Sequence, residues 1–193
     1  AQLKPGYNVQ IGVDSEYIVA ADIFQDRNDV WTLIPFLETI EKKVGFRYPS
    51  VTADSGYESE EAYTYLREQK QKPYIKPQTY EKWNKRSFKQ DISKRENMGY
   101  DEITDTYICH AGKELKPLFI KKQKSKSGYE SEVTVYECED CTGCPHKEKC
   151  TRAKGNKRLY ISKSFLEKRQ ESYENILSEK GILYRMNRSI QVE

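Results

Sequence analysis

A strand, a tight turn and the start of a helix follow one another in Ser50-Val51-Thr52-Ala53-Asp54-Ser55-Gly56-Tyr57-Glu58-Ser59. Residues 50–54 have the pattern of a short strand, Gly56 allows a sharp turn, and Ser59 can cap a helix. Open α/β sheets bind ligands beyond the carboxyl ends of their strands. Asp54 stands at such an end, so this run predicts a functional site on an α/β scaffold.

Further strands and helices are predicted on both sides of this run. The predicted elements are a hairpin of strands at 7–13 and 17–23, a helix capped by Thr32 and ended by Gly45, a strand at 74–75, a helix from Ser164 to its stop at Gly181, and a helical segment at 183–193. Alternation of strands with helices is typical of an α/β fold.

Composition restricts the class of protein. The chain has 193 residues, 36% of them hydrophobic and 33% charged, with 15 Tyr, 6 Phe and 2 Trp. So many aromatic residues argue against a disordered chain. No run is long and apolar enough to span a membrane, and residues 1–10 lack the features of a signal peptide. We expect no membrane partner and a reducing, cytosolic setting.

We predict three segments. Residues 1–77 and 161–193 carry the α/β pattern, whereas 78–160 lose clear periodicity. The middle segment is interpreted as a basic, cysteine-rich insertion that contains a hairpin at 107–115, a polar loop at 121–128 and a strand at 132–136.

Positive charge is concentrated in the middle of the chain. Nine Lys or Arg residues lie between Lys70 and Arg95, against two acidic residues, and 113–126 and 152–169 are also basic. Such runs are either solvated surface or a polyanion-binding face, and the interleaved aromatic residues favour binding. The candidate contacts to the phosphates of a polyanion are Lys76, Lys82, Lys85 and Arg86, with Arg185 and Arg188 near the end of the chain.

Four of the five cysteines, Cys138, Cys141, Cys144 and Cys150, form a compact cluster. Four thiolates at this spacing fit a closed structural Zn²⁺ site, although an iron–sulfur cluster and free or redox-active thiols are alternatives. His146 either replaces one thiolate or is an ordinary loop residue. Cys109 is predicted to be an unliganded strand residue. Zinc binding would stabilise the fold of an insertion that is too polar to fold alone.

Two carboxylates are candidates for a second, divalent metal site. Asp54 either binds a metal at the strand end or forms a turn by bonding its own backbone. Glu193, in a segment that also carries Arg185 and Arg188, is either a partner carboxylate in a shared metal site or a terminal surface glutamate.

Three runs give the chain a resemblance that spans essentially its whole length. They are Leu3-Lys4-Pro5-Gly6-Tyr7-Asn8-Val9-Gln10-Ile11-Gly12-Val13-Asp14, then 52–59 within the run quoted first, and Tyr184-Arg185-Met186-Asn187-Arg188-Ser189-Ile190-Gln191-Val192-Glu193. The chain resembles DDE transposases of bacterial insertion sequences, some of which carry a cysteine-rich insertion.

The resemblance implies a ribonuclease H-like mixed sheet flanked by helices, in which two Asp and one Glu hold two Mg²⁺ or Mn²⁺ ions. Asp54 matches the second carboxylate and Glu193 the third. The implied activity is cleavage and joining of DNA strands at transposon ends and target, by a homodimer in the bacterial cytoplasm.

The first Asp of the family has no match, since the resemblance places it before Ala1. Asp14, in a hairpin turn, and Asp22, on another strand, are poor substitutes. Arg188 lies five residues before Glu193, slightly more than the family's usual step, and the family's following Lys would fall beyond Glu193. We therefore expect a catalytic-domain fragment that is itself inactive.

Two classes of function remain open. One is the transposase catalytic domain, and the other is a non-catalytic, metal-stapled nucleic-acid-binding module. Nicking of DNA that depends on a divalent ion separates them, whereas DNA binding alone does not.

Overall fold

The computed structural model describes residues 6–192, and for residues 189–192 it describes the backbone alone. The chain divides into two compact units, one formed by residues 6–78 with 167–192 and the other by 79–166. Each unit contains both helices and strands. The three-segment division stays a prediction.

The elements follow one another as β1 (Asn8–Asp14), β2 (Tyr17–Phe24), α1 (Leu33–Val44), β3 (Ser50–Ala53), α2 (Glu60–Glu68), β4 (Lys72–Ile75), α3 (Tyr80–Trp83), α4 (Arg86–Lys89), β5 (Gly99–Asp101), β6 (Thr106–Ile108), β7 (Glu114–Lys124), β8 (Glu130–Cys138), α5 (Lys147–Cys150), β9 (Arg158–Ile161), α6 (Lys163–Leu177) and α7 (Glu179–Val192). Short 3₁₀ turns lie at Asp29–Trp31, Ser55–Tyr57 and Arg95–Asn97.

The predicted hairpin is present in the first unit. Strands β1 and β2 pair antiparallel, and the two turn residues Ser15 and Glu16 both have positive φ. Such a turn matches the twist of the strands that it joins. One face of the hairpin packs on α1, where Ala20, Phe36 and Ile40 form a buried cluster.

Helix α1 confirms one predicted end and corrects the other. Gly45 ends the helix in the left-handed region at φ 80°, and its N–H donates to Glu41 O. Thr32 precedes the helix as predicted, but its hydroxyl makes no capping bond. It donates instead to Asp29 O at 3.0 Å, because the 3₁₀ turn before the helix places that carbonyl within reach.

Residues 50–75 form a β–α–β unit. Strand β3 pairs in parallel with β4, and α2 connects them. Ser59 caps α2 as predicted, since its hydroxyl accepts the Ala62 N–H at 3.0 Å. Leu66 of α2 and Ile75 of β4 are fully buried, so the helix covers the strand pair through its apolar side.

The structure corrects the role of Gly181. Helix α6 ends at Leu177, and Gly181 is the third residue of α7 rather than a helix stop. A new helix begins here because the Ser178 hydroxyl accepts the Gly181 N–H at 3.1 Å, which caps the first turn of α7.

The second unit is built on a five-stranded antiparallel sheet in the order β5-β6-β7-β8-β9. Its buried cluster includes Leu115, Tyr136 and Ile161. The predicted loop at 121–128 is shorter than expected, since β7 continues to Lys124 and a turn with Gly128 at φ 95° leads to β8. Cross-strand pairing extends both strands through residues whose polar sequence suggested a loop.

Among residues 6–192, hydrogen bonds divide the strands into three sheets: β1-β2, β3-β4 and the five-stranded sheet. A ribonuclease H-like mixed sheet flanked by helices therefore stays a prediction. No helix in the described part of the chain is long and apolar enough to cross a membrane.

Candidate active site and thiol cavity

Asp54 lies directly after β3, at the place where the sequence predicted a functional carboxylate. Its backbone is extended, and its Oδ1 accepts the Gly56 N–H at 2.8 Å. This bond is the turn-forming role that the sequence left open. It uses one carboxylate oxygen and holds the side chain in a fixed direction.

The second carboxylate oxygen meets the closing helix. Arg188 Nη2 on α7 lies 2.9 Å from Asp54 Oδ2, and both side chains are partly exposed. The strand-end motif and the closing motif, which are far apart in sequence, therefore converge in the first unit. Glu193 lies outside the described residues.

Asp29 is a site residue that the sequence analysis missed. Its Oδ1 accepts bonds from the side-chain amides of Asn8 at 2.9 Å and Gln10 at 3.2 Å. A methyl group added at Gly56 would lie 3.0 Å from both Asp29 Oδ2 and Asp54 Oδ1. The two carboxylates therefore face the same small space, which a glycine keeps open.

A tyrosine completes this network. Tyr57 donates its hydroxyl to Gln10 Oε1 in a short hydrogen bond. Burial, and then the charges of Asp29 and Asp54, raise the pKa of Tyr57 to about 12. The phenol is therefore neutral near pH 7 and acts as a donor, which fixes the Gln10 amide that in turn holds Asp29.

The predicted DNA contacts lie on both units. In the first unit, Lys76 follows β4, and Arg185 and Arg188 lie three residues apart on α7. In the second unit, Lys82 lies on α3 and is exposed, and Lys85 and Arg86, also exposed, lie at the start of α4. The pairing of Arg188 with a carboxylate differs from the simple expectation of a solvated cation.

All five cysteines line one small cavity in the second unit, together with His110 and His146. Cys138 and Cys141 are buried, and the other three thiols are half-buried. Burial, followed by the neighbouring Cys141, raises the pKa of Cys138 to about 12. The cavity therefore stabilises the neutral thiol of Cys138.

One contact in the cavity suits a sulfur that carries negative charge. The backbone N–H of Lys157 donates to Cys141 Sγ at 3.4 Å. Donors of this kind orient and stabilise thiolate ligands. The rings of His110 and His146 lie 4.9 Å apart and edge to face. As placed in residues 6–192, no three His, Cys, Asp or Glu side chains are already gathered around a point that could hold a metal ion.

Comparison with known families agrees with the resemblance noted above. Residues 108–193 match the model of the transposase DDE domain family. The match supports a transposase role, and transposases of this family in general act on DNA and use divalent metal ions. It leaves residues 1–107, and with them Asp54, outside the matched range. No curated protein and no solved structure significantly matches the chain.

Proposed function

We propose that this chain is a fragment of the catalytic domain of a DDE transposase of a bacterial insertion sequence, with a ribonuclease H-like core. Its parent enzyme cleaves and joins DNA strands at transposon ends. The observation that carries the proposal is the 2.9 Å contact between Asp54 and Arg188, because it brings the strand-end carboxylate against the helix that leads to Glu193. The family match over 108–193 supports it independently.

Asp54 and Glu193 are the proposed ligands of Mg²⁺ or Mn²⁺. Oxygen ligands of this kind suit both ions, and Asp54 is already fixed at the strand end by the Gly56 N–H. Bound ions would activate a water or 3′ hydroxyl and stabilise the leaving oxygen during in-line attack. Arg188 holds Asp54 Oδ2 and neutralises its charge until a cation takes that place.

Two further residues, Gly56 and Tyr57, keep the Asp54 carboxylate available to a metal ion. Gly56 leaves room between Asp29 and Asp54, and a side chain there would displace both carboxylates. Tyr57 stays neutral and anchors the amide network that fixes Asp29.

DNA is the proposed partner, with a homodimer acting on the transposon ends. Lys76, Lys82, Lys85, Arg86, Arg185 and Arg188 are the proposed phosphate contacts. Contacts of this kind give affinity that falls steeply with salt and carries little base specificity.

Zn²⁺ is the proposed structural ion of the cysteine cluster, with an iron–sulfur cluster as the alternative. The common cavity and the Lys157 N–H directed at Cys141 Sγ support a thiolate site. The thiols would have to lose their protons and draw together when the ion binds.

Mn²⁺ binding tests the divalent site, with Asp54→Asn as the variant. Asn keeps the size of the side chain and an acceptor for the Gly56 N–H, but it removes the negative charge that binds the cation. We expect Mn²⁺ affinity, measured by the loss of free Mn²⁺ signal in electron paramagnetic resonance, to fall at least about tenfold.

Asp22→Asn is the matched control. Asp22 lies on β2 and contacts its own strand and Thr39 rather than the site. It should leave Mn²⁺ binding unchanged. Equal Mn²⁺ affinity in the Asp54→Asn variant and the unmodified chain would overturn the assignment of Asp54.

A non-catalytic nucleic-acid-binding module remains the second candidate. The thiol cavity and the exposed basic residues Lys82, Lys85 and Arg86 favour it, because they lie in a compact unit that does not contain Asp54. This module would bind DNA without any Mg²⁺- or Mn²⁺-dependent cleavage.

A further inference from the structure

Cys109 occupies a defined turn directly after β6. Its N–H donates to Lys113 O at 2.9 Å, and its carbonyl accepts the Gly112 N–H at 2.9 Å. Gly112 has φ 74°, which closes the turn in a conformation that suits glycine. The backbone around Cys109 is therefore fixed before any ligand is bound.

Strand pairing explains why this turn lies beside the cysteine cluster. Tyr107 pairs with Leu115, and Leu115 pairs with Cys138, so these residues form one row across β6, β7 and β8. The turn after β6 and the end of β8 consequently lie at the same end of the sheet. The Glu139 N–H donates to Glu114 O and extends the pairing just beyond Cys138.

The Cys109 side chain faces the cluster. It lines the same cavity as the other four cysteines, and it packs against a buried group that includes Cys138 and Cys141. Strand β6 ends at Ile108, one residue before Cys109, and Cys109 brings a fifth sulfur to the cluster.

We propose that Cys109 is a ligand of the metal ion held by the cysteine cluster, with zinc as that ion. The inference rests on the proposed zinc site and changes its composition. Tetrahedral zinc takes four ligands. Cys109 and the two buried thiols, Cys138 and Cys141, supply three of them, and either Cys144 or Cys150 supplies the fourth.

A ligand at position 109 changes what the ion stabilises. A metal ion bound only by cysteines within 138–150 would close only short local loops. With Cys109 as a ligand, the ion links the turn after β6 to the end of β8. A cross-link between distant segments removes more freedom from the unfolded chain than one between neighbours. The ion then fastens one end of the five-stranded sheet rather than a single loop.

Thiol protection in the unmodified, zinc-loaded chain gives the first test and requires no variant to fold. Iodoacetamide labelling followed by peptide mass spectrometry reports which thiols the ion protects. We expect Cys109, Cys138 and Cys141 to be protected until a chelator is added, with either Cys144 or Cys150 labelled. Labelling of Cys109 alone, with the other four thiols protected, overturns the inference.

Cys109→Ser gives the second test, with Ala111→Ser as the matched control in the same turn. We expect Cys109→Ser to weaken zinc binding at least about 100-fold in competition with a chromogenic chelator. The sulfur-to-cobalt charge-transfer band of the Co²⁺ form should weaken by up to about a quarter or shift, since the fourth place is left to a less well placed thiol, Cys144 or Cys150. Ala111→Ser should change neither the zinc affinity nor the Co²⁺ spectrum.

Different results would overturn the zinc site and the role of Cys109 in that site. An unmodified chain that binds neither zinc nor cobalt overturns the zinc site itself. Normal zinc affinity and an unchanged Co²⁺ spectrum in the Cys109→Ser variant overturn only the role of Cys109.

Discussion

Replacing Gly181 with alanine is expected to destabilise the chain strongly. A Cβ at this position would overlap Asn175 O and would lie 2.7 Å from Ile176 Cα. Both are backbone atoms of α6, so no side-chain rotation relieves the clash. Overpacking typically costs about 1–3 kcal/mol and occasionally more, and contact with backbone places this change at or above about 3 kcal/mol.

The sign of the Gly181→Ala effect is itself informative. Helix propensity alone would make alanine in α7 more stable than glycine by about 1 kcal/mol. Urea unfolding followed by circular dichroism measures the free energy of unfolding. Gly6→Ala is the control, since Gly6 lies in the same unit and nothing stands within 4 Å of an added Cβ. A Gly181→Ala variant as stable as the parent would contradict the close approach of α6 and α7.

The second large effect is expected from Arg169→Met. Arg169 Nε on α6 lies 2.9 Å from Glu58 Oε1, and their side chains are 12% and 2% exposed. Glu58 also accepts the Gln78 N–H at 2.8 Å and the Tyr63 hydroxyl at 3.2 Å. Without the arginine, a buried carboxylate would lack a counter-charge, which costs about 3–5 kcal/mol.

Arg67→Met is the control for this prediction. Arg67 makes ion pairs of 3.0 and 2.6 Å with Glu167 and Glu171, but these pairs are exposed. Exposed pairs contribute about 0–1 kcal/mol, so the Arg67 variant should lose little free energy of unfolding. Equal losses of free energy of unfolding in Arg169→Met and Arg67→Met would contradict the larger contribution of the buried Arg169–Glu58 pair.

The loss of free energy of unfolding caused by Arg169→Met should also depend on pH. Burial raises the pKa of Glu58 above its ordinary value, and the arginine opposes this shift. Without the arginine, the folded state takes up a proton more readily than the unfolded state, so stability improves as pH falls through the folded pKa. The stability gap between Arg169→Met and the parent should therefore narrow from about pH 7 to about pH 5.

Local signals in the sequence were sufficient to predict much of the secondary structure of the first unit. The hairpin β1–β2, the left-handed Gly45 at the end of α1 and the Ser59 cap of α2 each depend on neighbouring residues, and all were predicted. Gly181 was misread because glycine both ends helices and permits close helix packing. Only the tertiary structure distinguishes these two uses.

The site itself was predictable only in part. The position of Asp54 follows from its strand–turn–helix context, but the approach of Asp29 depends on amides from β1 that lie about twenty residues earlier in sequence. In the sequence, Asn28 and Asp29 only interrupt the strand pattern. Likewise, Cys109 joins the cysteine cluster through pairing of three strands, which no local spacing reveals.

The most direct test of the central proposal is DNA nicking by the natural protein that contains this sequence. Nicking of supercoiled DNA carrying the transposon ends is measured with Mn²⁺, with Mn²⁺ replaced by Ca²⁺, and in Asp54→Asn and Asp22→Asn variants. The account predicts nicking that requires Mn²⁺, falls at least about 100-fold in Asp54→Asn and persists in Asp22→Asn. Nicking that survives Asp54→Asn, or DNA binding with no nicking at all, would contradict it.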